Sequence, residues 1–190
     1  AMKSGKIECR VFDKSKFQQL ELSFRECDCS TPEFSAFFEA VSNAGQNIAN
    51  LRFIGSKLDT SSLLHVFQNI FFNDCYHSLN TLEINSVGEI QELPLMIESL
   101  AGCSWALTSK CVKVLIISGC GNIGCSKMLS SIMGFNIGVK QIHMTNNHFS
   151  EKIELSESSA KVELDFINLS NSSFTKEAFD SIIEAISSDK

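Results

Sequence analysis

The stretch VKQIHMTNNHF, residues 139–149, sets the pattern from which the fold is predicted. Its apolar residues Val139, Ile142 and Met144 form a short phrase: apolar, two residues, apolar, one residue, apolar. Six such phrases follow one another, with starts 25 to 33 residues apart. A sequence period of about 20–50 residues predicts a protein built by stacking one structural unit on the next. The six are Phe17-Leu20-Leu22, Ile48-Leu51-Phe53, Leu79-Leu82-Ile84, Val112-Leu115-Ile117, Val139-Ile142-Met144 and Leu164-Ile167-Leu169.

Each phrase predicts a short strand, because its last two apolar residues stand two apart and therefore point to the same side of extended chain. Three residues later a small or polar residue recurs, and in most units a stretch of helical period follows. Predicted helix starts lie at Thr31-Pro32, at Thr60 or Ser61, and at Thr175. Residues 150–161 lack the helical period, so an irregular or extended return is expected there. The helical stretches are Phe34–Val41, Leu63–Phe71, Leu93–Leu100, Met128–Ile132 and Ala178–Ile186.

Strand, turn, helix and return in units of 25 to 33 residues resemble the leucine-rich repeat family, in its ribonuclease-inhibitor-like class. The matches are clearest in residues 139–149 and 164–174, and Asn147 occupies the position whose side chain, in that family, hydrogen-bonds neighbouring turns. The resemblance implies an α/β fold: a right-handed, curved solenoid of about six repeats, with parallel strands on the concave face and helices on the convex face. The repeat domain is predicted over residues 17–190. Residues 1–16 are predicted to be a tag remnant and a capping or edge segment.

The amino-acid composition argues against several classes of binding partner. A net charge of -6 argues against nucleic-acid binding, which needs clustered positive charge. No apolar run approaches the length of a membrane span, so no membrane insertion is expected. Eight cysteines without a C-x2-C pair favour free thiols in a reducing, cytoplasmic compartment over a metal site. We therefore expect no metal and no cofactor, and the oligomeric state stays open.

One motif supports a different function. Gly119-x-Gly121-x-x-Gly124 follows a predicted strand and precedes a predicted helix, as in the fingerprint that binds a dinucleotide pyrophosphate. Against this, no acidic residue for a ribose follows the next strand, Gln141–Thr145, and the motif falls in phase with the other repeats. A dinucleotide-binding domain therefore stays an alternative, as does a structural spacer within a longer repeat protein.

The candidate site lies between the core positions of the strands, where side chains face away from the core. Most of these residues are polar, but Val114, Ile116 and Phe166 are apolar, and an exposed apolar patch with a polar rim marks an interaction site. We predict a non-catalytic protein–protein interaction module. The resemblance to intracellular repeats of the tropomodulin and CARMIL type implies cytoskeletal or small-GTPase regulation. The predicted partner-binding residues are Arg52, Ile54, Glu83, Val114, Ile116, His143, Phe166 and Asn168.

Overall fold

A seven-stranded, mostly parallel sheet organises this α/β chain. The computed structural model describes residues 5–14, 17–43, 47–72, 79–86, 112–121, 124–134, 139–154 and 164–187. The strands of the sheet are β1 Lys6–Lys14, β2 Phe17–Arg25, β3 Asn47–Ile54, β4 Thr81–Asn85, β5 Val114–Ser118, β6 Gln141–His143 and β8 Phe166–Asn168. A second, two-stranded sheet holds β7 His148–Phe149 and β9 Ser173–Phe174. The described helices are α1 Pro32–Asn43, α2 Thr60–Phe72, α3 Cys125–Gly134 and α4 Lys176–Ser187.

The strands pair in the order of the chain, β1-β2-β3-β4-β5-β6-β8. Only the first pair, β1 with β2, is antiparallel, and every later pair is parallel. The central apolar residues of the predicted phrases lie side by side, so that Leu51, Leu82, Leu115, Ile142 and Ile167 form one row across the sheet. Successive phrases of the sequence have therefore become neighbouring strands.

The first unit differs from its prediction. The phrase Phe17-Leu20-Leu22 would place Leu20 beside Leu51, but the structure pairs Leu22 with Leu51 and Phe24 with Phe53. The predicted phrase was therefore two residues too early. The reason is that Leu20, Leu22 and Phe24 alternate, so that two frames fit the same apolar pattern. In the observed frame the rings of Phe24 and Phe53 are stacked, with their centroids 5.2 Å apart. The pairing of β2 with β3 shifts register at a bulge after Leu20.

The corrected frame also explains the positions of two cysteines. Cys27 now occupies the place that Ser56 holds in the next unit, and Cys29 occupies that of Leu58. The backbones of the two units run together here, since Cys29 N–H donates to Lys57 C=O and Lys57 N–H donates to Cys27 C=O. Cys29 is fully buried, as Leu58 is nearly so. Both cysteines therefore have structural places in the stacked units.

The helices supply the other side of the core. Phe34 of α1 packs edge-on against Phe24 of β2, and the buried residues of α2, α3 and α4 belong to the same apolar cluster. This burial removes the apolar side of each strand from water and is the main stabilising contribution. The opposite side of the sheet carries the intervening, mostly polar residues. No helix in the described ranges has the length and apolar character to cross a membrane.

The helix boundaries confirm most of the predicted starts. Thr31 Oγ1 accepts from Phe34 N–H at the start of α1, and Thr175 Oγ1 accepts from Ala178 N–H at the start of α4. The second helix starts at Thr60, as predicted, but its capping residue is Asp59, which accepts from Ser62 N–H at 2.8 Å. A carboxylate is the stronger acceptor at a helix N-terminus, where the dipole favours negative charge. Residues 150–154 form no helix, and the predicted helix over 93–100 and the remainder of 150–161 lie outside the described residues.

Candidate functional site

The residue that ends each strand's turn adopts a left-handed backbone conformation. After β2, β3, β4, β5, β6 and β8 this residue has a φ between 52° and 59°, although its side chain varies. Its N–H repeatedly donates to a carbonyl of the next unit, as from Gly55 to Asn85 and from Gly119 to Thr145. A shared geometry at six places means that one turn type directs every strand toward its return. The six residues are Glu26, Gly55, Ser86, Gly119, Asn146 and Asn171.

A ladder of side-chain hydrogen bonds joins the turns. Asn147 is buried, and its amide donates to Ile117 C=O at 2.8 Å and accepts from Cys120 N–H at 3.1 Å. Ser56, which holds the corresponding position after β3, makes both types of bond, since its hydroxyl donates to Phe24 C=O and accepts from Cys27 N–H. Each rung satisfies backbone groups of the preceding unit that would otherwise be buried without a partner. The ladder therefore holds neighbouring strands, and the surface they carry, in register.

The candidate site is the sheet face opposite the helices, which we call the polar face. One row across it contains Ser23, Arg52, Glu83, Ile116, His143 and Asn168, in that order. The row beside it contains Glu21, Asn50, Thr81, Val114, Gln141 and Phe166. The sheet therefore brings seven of the eight predicted site residues into two adjacent rows, and Ile54 lies beside Asn85 in a third.

The half of the polar face nearest β1 is charged. Arg52 lies between two carboxylates, with Nη1 3.3 Å from Glu21 Oε1 and Nε 3.6 Å from Glu83 Oε2. All three side chains are at least half-buried, and the Arg52 Nε–H is too far from Glu83 for a good hydrogen bond. The buried Ser23 hydroxyl also has no hydrogen-bond partner. Polar groups with incomplete pairing lie at this place on the surface.

The other half of the polar face is apolar and aromatic. Val114 and Ile116 are partly exposed on β5, whereas Leu115 and Ile117 on the opposite side are buried, as the predicted strand register requires. Phe166 is 48% exposed, and its ring lies 5.2 Å from the His143 ring. The apolar side chains lie on β5 and β8, and β6 between them contributes Gln141 and His143 to this face. We call Val114, Ile116, His143 and Phe166 the apolar patch.

Sequence reasoning did not select every residue of this face for the site. Glu21 completes the charged cluster, because its Oε1 lies 3.3 Å from Arg52 Nη1. The signal in the sequence was the alternation of charge between successive strands: Glu21, Arg52, then Glu83. In the predicted frame Glu21 already lay beside Arg52, but the two-residue correction moves it to the diagonal position.

The glycine motif has a structural role in the turn. The φ angles of Gly119, Gly121 and Gly124 are all positive. The N–H groups of Gly119 and Cys120, which a pyrophosphate would need, already donate to Thr145 C=O and to the Asn147 side chain. The N–H groups of Gly119 and Cys120 are therefore already used in hydrogen bonds to the segment that follows β6. This geometry disfavours dinucleotide binding at this loop.

The cysteines in the described part of the chain form no disulfide. Burial raises the pKa of the Cys29 thiol to about 12 and that of Cys125 to about 11. A thiol with a raised pKa carries little thiolate and is a poor nucleophile near neutral pH. Among the described residues, no group of three or more His, Cys, Asp or Glu side chains is arranged to hold a metal ion.

Comparison with known proteins identifies no relative. No protein-family model matches the chain, and the comparisons with curated proteins and with solved structures also gave no match.

Proposed function

We propose that this chain is a leucine-rich repeat segment that acts as a non-catalytic module for protein–protein interaction, with its partner bound on the polar face. The observation that carries the proposal is the apolar patch. Its residues lie on a sheet face where solvent-exposed side chains should be polar, and polar and charged residues surround them. Such a patch with a polar rim has the composition of a recognition surface.

Three observations support the repeat architecture. The parallel strands follow one another in chain order, and the same left-handed turn residue recurs in six units. The side-chain ladder at Ser56, Cys120, Asn147 and Ser172 recurs in phase with the turns. A curved solenoid of about six repeats, with the polar face as its concave side, accounts for all three. The ribonuclease-inhibitor-like class is the subfamily that we propose.

The charged half of the polar face supports orientation of a partner. Glu21, Arg52 and Glu83 form a cluster with alternating sign next to the apolar patch. Charges at the rim of an interface contribute more to partner choice and association rate than to affinity. The patch would therefore supply the binding energy, and the cluster would select a partner with complementary charge.

The narrower proposal is a cytoplasmic role in cytoskeletal or small-GTPase regulation, which comes from the resemblance alone. The free thiols of the described cysteines are compatible with a reducing compartment. Catalysis has less support, because the committed amides of Gly119 and Cys120 disfavour the dinucleotide alternative.

A matched pair of substitutions tests the proposal. Phe166→Asp places a charge in the apolar patch, and Phe179→Asp makes the same change on α4, where the side chain is equally exposed at 51% against 48%. Tagged wild type and both variants are used to capture proteins from lysate of the native cell, and captured proteins are identified by mass spectrometry. Circular dichroism verifies folding of each variant.

We expect a partner that binds wild type and Phe179→Asp but not Phe166→Asp, and binding is then repeated with the purified partner. A partner that is lost only with Phe179→Asp would move the site to the helical side. Equal recovery with all three proteins, or no partner with any, would contradict the proposed surface and favour the spacer function.

A further inference from the structure

The strand β1 presents an unpaired edge. It runs for nine residues, Lys6–Lys14, and pairs on one side with β2, while no other described strand pairs with its outer side. An exposed strand edge carries a row of N–H and C=O groups that favour pairing with another strand. The edge is long enough to accept such a partner, and its side chains indicate which one.

Apolar and charged residues alternate along β1. Ile7, Cys9 and Val11 lie opposite the buried residues of β2, so they belong to the helix side of the sheet. They are nevertheless exposed, Ile7 by 52% and Val11 by 58%. Glu8 and Arg10 lie on the polar face. β1 is therefore amphipathic, but its apolar side is not covered as the apolar sides of the inner strands are.

We propose that the partner of this edge is β1 of a second copy of this chain, paired antiparallel about a two-fold axis at Cys9. In that register each Ile7 lies opposite the other copy's Val11, and each Glu8 lies opposite the other copy's Arg10. Cross-strand apolar pairs and opposite charges both stabilise antiparallel pairing. The two seven-stranded sheets become one continuous sheet, with the helices of both copies on the same side.

The charges select this register over its neighbours. An axis one residue earlier would place Glu8 opposite Glu8, and an axis one residue later would place Arg10 opposite Arg10. Like charges directly opposite each other destabilise a strand pair. Of these three registers, the axis at Cys9 is the one in which the apolar side matches and the charges on the polar face are opposite. This self-complementarity is the argument for a second copy rather than an unrelated strand.

Such a dimer should be weak. Two single strands bury less surface than the roughly 1,600 Å² of a standard interface. The dimer should therefore form and dissociate with protein concentration and should not behave as an obligate assembly. Sedimentation velocity over a wide concentration range measures this directly, and we expect the weight-average mass to rise from monomer toward dimer.

The cysteine at the axis offers a first test. Directly opposite residues of antiparallel strands have Cα atoms about 4.5 or 5.5 Å apart, and both distances permit a disulfide. With diamide, an azo oxidant, two Cys9 thiols would lose two protons and two electrons and join, while diamide is reduced to the hydrazine. We expect a dimer on non-reducing gels from wild type and none from Cys9→Ser. Cross-linking that persists in Cys9→Ser, or that fails in concentrated wild type, would contradict the proposed axis.

Charge reversal offers a second, independent test. Arg10→Glu places like charges opposite one another twice in each dimer, and we expect the dissociation constant to rise about tenfold or more. Glu8→Arg should do the same. An equal mixture of the two variants restores opposite charges and should dimerise as wild type does. Lys152→Glu, the same change of charge at an exposed residue away from β1, is the matched control and should dimerise normally.

Glu8 also forms ion pairs within its own chain, with Lys6 at 2.6 Å and with Arg25 at 3.4 Å, so its variant needs a thermal-unfolding check. Arg10 lies opposite Glu21 of β2, so Arg10→Glu is given the same check. If Glu8→Arg does not fold, the folded Arg10→Glu beside Lys152→Glu still decides the question. Wild type that stays monomeric, or a dimer that is unaffected by Arg10→Glu, would overturn the proposal. Neither result bears on the apolar patch, because Phe166 and β1 lie at opposite ends of the sheet.

Discussion

Replacing Asn147 by alanine removes a rung of the ladder and should destabilise the fold strongly. The side chain is 5% exposed, and it satisfies Ile117 C=O and Cys120 N–H in the preceding unit. Alanine can replace neither bond, because its methyl group neither donates nor accepts a hydrogen bond. Two backbone groups would lose their partners.

The expected loss of stability follows from those two backbone groups, Ile117 C=O and Cys120 N–H. A buried donor or acceptor left without a partner costs about 1–3 kcal/mol. We expect Asn147→Ala to lower the free energy of unfolding by about 3 kcal/mol, and to lower the Tm by about 6–12 °C in a chain of this size. Serine should recover part of the loss, because Ser56 makes both types of bond through one hydroxyl. Asn147→Ser should therefore cost only about 1 kcal/mol.

Equilibrium unfolding in urea, followed by far-ultraviolet circular dichroism, measures these differences. The matched control is Asn80→Ala, where the side chain is exposed and the change should stay within about 0.5 kcal/mol. The reasoning is refuted if Asn147→Ala is no less stable than Asn80→Ala. It is also refuted if serine at position 147 is no better than alanine, since the hydrogen bonds would then not be the cause.

Three further predictions concern the turns, the thiols and the core. Gly119→Ala should destabilise by about 2 kcal/mol, since Gly119 has a φ of 59° and a Cβ there would lie 3.0 Å from the Ser86 hydroxyl oxygen. Gly55→Ala, with a φ of 58° but an ordinary contact of 3.7 Å to Glu26 Cγ, should cost about 1 kcal/mol in thermal unfolding. In the native protein at pH 8, iodoacetamide should modify the exposed Cys9 and spare Cys29, whose pKa burial raises to about 12; peptide mass spectrometry measures both, and equal modification would contradict the buried position. Phe24→Ala should cost about 3–5 kcal/mol in urea unfolding, because the ring is fully buried and stacked; a loss below 1 kcal/mol would exclude the observed frame of the first unit.

The recurring phrase was sufficient to predict which residues form the inner strands and which sides of them are buried. Leu51, Leu82, Leu115 and Ile142 stand in one row because a period of two within each strand and a longer period between strands are both visible in the sequence. The same reasoning placed Val114 and Ile116 on the exposed side. Helices with an apolar stripe were predictable for a similar reason, as in α1 and α4.

The frame of the first unit could not be predicted in this way. An alternating strand looks the same when it is shifted by two residues, so Leu20 and Leu22 were equally good candidates for the place beside Leu51. Only contacts distant in the sequence distinguish the two frames: the stacked rings of Phe24 and Phe53, and the bond from Cys27 N–H to the Ser56 hydroxyl. The cap of α2 was missed because Asp59, Thr60 and Ser61 all have capping side chains.

By itself, the sequence determined the units, their order and the polarity of their two sides, because these depend on spacing along the chain. The tertiary structure alone decided which side chains make contact and how: Arg52 reaches Glu21 diagonally, and the ring of His143 lies beside that of Phe166. It also decided that β1 is antiparallel to β2 and carries an open edge. Such juxtapositions depend on hydrogen-bond register between strands, and register is set by packing between residues that are far apart in the chain.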